Sequence, residues 1–284
     1  MRIALVPVVL TFSLVAGAAA SPSKPVPRLI FPVVGTVSYT DDFGEPRAGG
    51  PHQGIDILAP RRSPAVVAEA GTVKLWTSSA TAGCMLYPHG DSGTTYLYIH
   101  LNNDLTLRND NRGSCVAGTS YAPGLKDGAR VSAGQLVGFV GDSGDANGLH
   151  PHLHFEVHPN DGAAVDPYPY LRKAQPLIFS AKAGTTVSLS LAGTILSSIP
   201  GTLQLKTSRV QSNTSKAVTL NRKVVLTLPA DASVLVDLPG VRLGLDALLP
   251  GMQATVYTLP LRTTLAAQRG DGQVLTATRV MLNA

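Results

Sequence analysis

Cysteine is nearly absent: the 284 residues hold two, Cys84 and Cys115. Neither has a partner at the usual metal-ligand spacing, which favours a disulfide over a cysteine-based metal site. Charge is sparse as well, at 14% Asp, Glu, Lys and Arg, with a formal net charge of +5 and no long charged tract. Basic doublets include Arg61-Arg62 and Arg172-Lys173. They form no stripe interleaved with aromatics, so nucleic acid is not an expected partner; the small excess suits weak attraction to an anionic surface. Sustained helical periodicity is missing between residues 30 and 159, which excludes a helical bundle there. Beyond the first 20 residues no run is long and apolar enough to cross a bilayer, and no internal repeat is visible.

What remains is a β-forming text rich in Val, Thr, Gly and Pro. Residues 1–20 read as a signal peptide. Arg2 is the charged start, residues 3–15 are apolar, and Ala18-Ala19-Ala20 supply a small-residue cleavage site. The segment is short for a span and interrupted by Pro7, so cleavage is favoured over a retained anchor, and no stable membrane insertion is expected afterwards. No Cys follows the site, which argues against lipid attachment. Export to an oxidising compartment makes a Cys84–Cys115 disulfide the expected state, worth roughly 3 kcal/mol in the chain-entropy picture.

Residues 21–29 are Pro-rich and read as an extended linker. Short strand-like runs follow at 66–69, 71–76, 94–101, 135–140 and 153–157, separated by turn residues. They predict an all-β, antiparallel domain over 30–172. After a connection the composition shifts to Leu, Val and Thr with no His, Cys or Trp, predicting a small β-rich accessory domain over 180–284. Its expected strands include 223–228, 234–238, 254–259 and 274–280, and the apolar turn at 245–251 is of a kind also seen in OB-like barrels. With no catalytic constellation there, binding or spacing is its default role.

The densest chemical signal is His-Pro-His-Leu-His at 150–154, followed by Phe155-Glu156-Val157. In a strand, His152 and His154 share one face while Leu153 and Phe155 share the other. Imidazoles in such a pair serve as metal ligands or as acid–base groups. Upstream, His52-Gln53-Gly54-Ile55-Asp56 sets an imidazole and a carboxylate on one face, with Gly54 between them leaving space for an ion. His52, Asp56 and His154 together would leave the fourth position of a tetrahedral zinc open, as catalytic sites do. Tyr96, Tyr98 and His100 alternate on a third strand and would share a face.

These motifs, in order, resemble the lysostaphin/LytM-type zinc metallopeptidases of bacterial cell walls. The resemblance rests on Phe43-Gly44-Glu45-Pro46-Arg47, the H-x-G-x-D of 52–56, Tyr98-Ile99-His100-Leu101, the Gly-rich turns of 134–144, His152-Leu153-His154-Phe155-Glu156 and Val165-Asp166-Pro167. It covers about residues 31–170 and leaves out the C-terminal region. It implies an antiparallel fold of the duplicated hybrid motif type and one zinc per chain, held by His52, Asp56 and His154. His100 and His152 would be the non-ligand pair that manages protons and the developing oxyanion. It further implies an exported enzyme of the bacterial envelope, or a secreted one, that cleaves peptide bonds of peptidoglycan stems or cross-bridges. The alternative within the family is a catalytically silent module that binds wall or activates other hydrolases. Departures from the pattern are His150, a groove candidate together with Tyr98, and a long segment at 103–128 carrying Cys115. His89 and His158 have no motif partner and read as surface residues.

Overall fold

Apolar alternation in the N-terminal region resolves into a six-stranded antiparallel sheet. Its spatial order is Ile55–Leu58, His152–Pro159, Thr94–Leu101, Gly83–Gly90, Gly71–Ser79 and Arg130–Val131. The computed structural model describes residues 25–236 and 241–283, apart from the side chains of 77 and 78. The expected signal peptide at 1–20 lies outside the described residues, as does the first part of the linker.

One face of the sheet is buried because every second residue along Ile55–Leu58 and His152–Pro159 is large and apolar. Ile55, Ile57, Leu153, Phe155 and Val157 are fully buried. Phe155 stacks on Tyr96 at 5.9 Å and meets Tyr98 edge-on at 5.4 Å, geometries that suit the aromatic quadrupole. A short ladder, Pro64–Val66 with Leu136–Phe139, covers this face. The remainder of the predicted 66–69 run is not strand, since the backbone N–H of Ala68 donates to the Tyr98 phenol instead of to a ladder. The linker expectation also changes at its end. Leu29 is buried in this core with Val26 packed beside it, so the chain is docked from there rather than spanning freely.

Residues from Ile178 to Leu282 form a second core under a seven-stranded sheet. The order is Val218–Leu228, Gly201–Ser212, Leu189–Ile199, Gln253–Thr258, Ala277–Leu282, Ser233–Val236 and Arg242–Leu243. All pairs are antiparallel except Ser233–Val236 with Ala277–Leu282. Seven strands exceed the five of an OB-type barrel, so the likeness at 245–251 stops at the turn, which forms a 3-10 helix over Leu245–Ala247. The long hairpin Leu189–Ile199/Gly201–Ser212 was not among the expected strands. Its polar outer residues and two register shifts blur the alternation. A third, small cluster of Ile30, Val34, Val66 and Leu177, with Val218 and Leu265 against it, joins the two regions.

Candidate metal centre and groove

Two side chains of the site come from one cross-strand pair: His154 stands directly opposite Asp56 in the antiparallel ladder. That register brings neighbouring Cβ atoms to about 5 Å, within reach of one ion. His52 enters from the turn before the strand. Its backbone N–H donates to the Glu45 carbonyl at 2.9 Å and its carbonyl accepts from Gly44 N–H at 2.8 Å. The Phe43–Arg47 turn of the sequence motif is therefore the frame that aims His52.

Three atoms converge. His52 Nε2 lies 2.9 Å from His154 Nδ1 and 3.2 Å from Asp56 Oδ1, and His154 Nδ1 lies 3.0 Å from the same oxygen. The far side of each ring is already engaged. His52 Nδ1 faces the Asp42 carbonyl at 2.9 Å, and His154 Nε2 faces Glu156 Oε1 at 2.9 Å. With those N–H groups donating outward, each inner nitrogen can bind a cation beside the carboxylate, a metal ion or, in its absence, a proton that then bonds Asp56. Such a set needs a cation. Two imidazole nitrogens and one carboxylate oxygen are zinc ligands, and bonds near 2.0 Å place tetrahedral vertices about 3.3 Å apart, close to the spacing seen. The residues thus fit the ion that the motif implies.

Electrostatics around the set follow from its burial and partners. Burial opposes ionisation of Asp56, yet hydrogen bonds with His154 and His52 hold its carboxyl well below the usual carboxylate range. Burial likewise opposes charge on His154, but Asp56 and Glu156 outweigh it and raise the imidazole to about 9 without metal. Glu156, buried yet hydrogen-bonded to His154 and His158, is lowered to about 2. Arg47 adds an outer cation, with Nη2 3.2 Å from Asp56 Oδ2 and 3.1 Å from Asp42 Oδ2.

Gly54 has a different role from the one its position suggested. A Cβ there would lie 2.6 Å from the Phe155 carbonyl and 2.8 Å from His154 Nε2. The missing side chain makes room for the His154 ring and the neighbouring strand, not for the ion itself.

His100 reaches the site only because its strand breaks pattern. Tyr96 and Tyr98 are fully buried, and Ile99 borders the groove, so strict alternation would send His100 to the core. A register shift opposite residues 84–86 and a left-handed backbone at His100, φ 60°, turn its ring to the groove instead. Its Nδ1 faces the Ser143 carbonyl at 2.8 Å, and burial lowers the ring to about 4. His152 is aligned the same way, its Nδ1 2.9 Å from the His150 carbonyl and its Nε2 3.7 Å from Asp56 Oδ1. The two rings meet edge to face with centroids 5.0 Å apart.

The groove around these groups has a volume of about 440 Å³ and is bordered by Arg47, Pro51, Thr81, Asp145 and Leu149. Two expected members do not line it. Tyr98 is fully buried beneath the sheet, where its hydroxyl donates to the Val66 carbonyl at 2.8 Å and accepts from Ala68 N–H at 2.9 Å; it is a core tether, not a groove residue. The His150 side chain is exposed and turned to the Pro151 carbonyl, so its backbone oxygen, rather than its imidazole, serves the site. His158 is not simply a surface residue: it hydrogen-bonds Glu156 Oε2 and completes a His154–Glu156–His158 chain. His89 is exposed and bonds Thr95. Cys84 and Cys115 form a disulfide with Cα atoms 5.2 Å apart.

Residues 108–167 match the model of peptidase family M23, a stretch that includes His152 and His154. The chain carries an M23 peptidase domain. An L-Ala–D-Glu endopeptidase of Bacillus subtilis is 28% identical over 152 residues, which cover 50% of this chain and 41% of that protein. A DD-carboxypeptidase/endopeptidase of Neisseria meningitidis is 28% identical over 137 residues, 46% of this chain and 26% of that protein. The chain thus spans less than half the length of these curated relatives. Among solved structures, the catalytic domain of the antimicrobial peptidase lysostaphin from Staphylococcus simulans is 24% identical, with 49% of this chain and 92% of that one covered and a TM-score of 0.37. His52, Asp56 and His100 precede the matched segment and meet His152 and His154 through the sheet.

Proposed function

We propose that this protein is an exported zinc-dependent endopeptidase that hydrolyses peptide bonds in peptidoglycan. The observation that carries the reading is the convergence of His52 Nε2, His154 Nδ1 and Asp56 Oδ1, each with its outer side already hydrogen-bonded. His52, Asp56 and His154 hold one zinc per chain. When bound, zinc lowers the pKa of a coordinated water toward about 7 and polarises a carbonyl.

The protein's own groups handle the protons. His100 and His152 both give their Nδ1–H to a backbone carbonyl, which leaves Nε2 as a lone pair facing the groove. At the groove Nε2 accepts a proton, and once protonated it donates to a developing oxyanion or to a leaving amine. The ring that takes one proton of the water then returns it to the leaving amine as the C–N bond breaks, while the water oxygen ends in the new carboxyl group, whose remaining proton passes to the amine or to solvent. A groove lined by Arg47 and Leu149 as well as the histidines offers room for a peptide substrate beside them. Cell-wall peptides fit the domain family and the endopeptidase names of the relatives. The signal-like residues 1–20 and the disulfide support an extracytoplasmic location, in the envelope or outside the cell.

The test is digestion of purified sacculi of several chemotypes, with mass spectrometry of released fragments and metal analysis of the same protein sample. The expected result is new peptide termini and about one zinc per chain. A protein that retains zinc and releases nothing from any chemotype would refute it.

A further inference from the structure

The two groove imidazoles that are not ligands share a support. Ser143 and His150 supply the carbonyls that fix His100 and His152, and both belong to one short segment, 142–150. That segment begins at Asp142, whose side chain is fully buried against Arg61. Arg61 Nη2 donates to Asp142 Oδ2 at 2.8 Å, and Nη1 donates to both Asp142 Oδ1 and Asp104 Oδ2. Asp104 is also fully buried, so one guanidinium serves two carboxylates out of water. Buried charge of this kind is tolerated only when paired and hydrogen-bonded, which makes the geometry demanding.

Each carboxylate in turn organises a loop. Asp142 Oδ2 accepts from Gly148 N–H at 3.3 Å, closing the 142–150 segment on itself. Asp104 Oδ1 accepts from the N–H groups of Asp110 and Asn111, both at 2.7 Å. The second loop then grips the first, since Asn109 and Asn111 donate to Asn147 Oδ1 at 2.9 and 2.8 Å. Gly144, at φ 79°, seats the segment so closely on the Thr81 carbonyl that a Cβ would lie 2.1 Å from it. Arg61 thus anchors the segment through two carboxylates, beside the bonds that the Ser143 hydroxyl makes with the Leu101 carbonyl and Cys84 N–H and that Asp145 N–H makes with the Thr81 carbonyl.

We propose that Arg61 is a positioning residue for the hydrolytic reaction, setting through Asp142 and Asp104 the loop carbonyls that lock His100 and His152 with Nε2 toward the groove. The proposal rests on the reading of those two histidines as the proton-handling pair. Arg61 touches neither ring and lies outside the ligand set. Its planar fork is what the arrangement uses, because one flat group must bond two carboxylates at fixed angles.

The test is Arg61→Lys, which keeps the charge and loses the fork, with Asn147→Ala at the exposed tie as the second variant. Arg61→Lys is expected to retain zinc and KM while kcat falls about 10- to 100-fold, as for displaced outer groups. Asn147→Ala should fall in the same direction by less. Imidazole 15N–1H correlation spectra supply a readout independent of turnover. In the parent protein His100 and His152 should both be Nδ1–H tautomers, and in Arg61→Lys at least one should show the other tautomer or a mixture. Unchanged kcat and unchanged tautomers in a folded Arg61→Lys protein would overturn the proposal. If Arg61→Lys does not fold, unchanged tautomers and kcat in Asn147→Ala would overturn it too. A zinc-loaded parent with no hydrolysis would sink the proposed function alone, since the tautomers still decide whether Arg61 positions the rings.

Discussion

His52 Nε2 and His154 Nδ1 stand 2.9 Å apart, though the two residues are 102 positions apart in the chain. Each nitrogen is turned inward because its ring partner donates elsewhere, to the Asp42 carbonyl and the Glu156 carboxylate. Removing a ligand and removing a proton carrier should therefore have different signatures. His154→Ala is expected to lose both metal and turnover. His152→Ala should keep about one zinc and lose turnover by about 10²- to 10⁴-fold, the usual range for a general acid–base group. Metal analysis beside kinetics on both variants distinguishes the roles; zinc loss in His152→Ala would reverse the assignment.

The same inward lone pair makes zinc compete with a proton. His154 is raised to about 9 in the metal-free protein, while an unfolded histidine titrates near 6.5. Below 9 each zinc must displace one proton from His154, so affinity should rise about tenfold per pH unit from roughly pH 7 to 9 and flatten above that. Stability of the metal-free protein should run the opposite way. The contribution of protonated His154 is fully present below about pH 6.5 and is lost as pH rises through about 9. Titration calorimetry in buffers of different ionisation enthalpy, with thermal melts of the metal-free protein, reads both.

Gly54→Ala tests close approach rather than ligand chemistry. The added methyl meets the Phe155 carbonyl and the His154 ring, so the strand pair must separate. The expected cost is about 1–3 kcal/mol of stability together with weakened zinc binding. Denaturant unfolding and competition with a chelating dye would measure the two effects.

Glu156→Gln keeps the volume but offers one acceptor oxygen where two histidines now donate. Metal affinity should fall about 10- to 100-fold through misorientation of His154. His158→Ala leaves Glu156 able to bond His154 and should have a smaller effect. Equal losses in the two variants would show that the chain of three acts as a unit.

Cys84→Ser with Cys115→Ser opens a link spanning 31 positions and should destabilise the protein by about 3–4 kcal/mol. The loss should appear as a lower denaturation midpoint, with a steeper slope because the unfolded chain without the link is less compact.

Much of this site was legible because its residues lie on strands whose period is two. His152, His154, Leu153 and Phe155 fall on the faces that alternation dictates, and Asp56 follows from the same rule with Ile55 and Ile57 inward. Alternation misled at Tyr98 and His100, where a register shift and one left-handed residue exchange the two faces. No periodic pattern announces a bulge. Glu156 and His158 were in plain sight two and four residues beyond His154, on the same face, and the spacing alone could have proposed their chain. Arg61 could not be found this way, because its partners, 43 and 81 positions away, are brought together only by the fold. In the C-terminal region the strands with strong apolar faces were readable, while the Leu189–Ile199/Gly201–Ser212 hairpin hid behind a polar outer surface.

The parallel pairing of Ala277–Leu282 with Ser233–Val236 has a bearing on biosynthesis. That segment lies inside the second sheet, with Gln253–Thr258 on its other side. A chain interrupted before Ala277 would leave two facing strand edges with nothing between them, each offering unpaired backbone groups to any extended peptide nearby. The second sheet can join only after this late segment has been delivered, so the N-terminal domain has the opportunity to close around its histidines before its neighbour is complete.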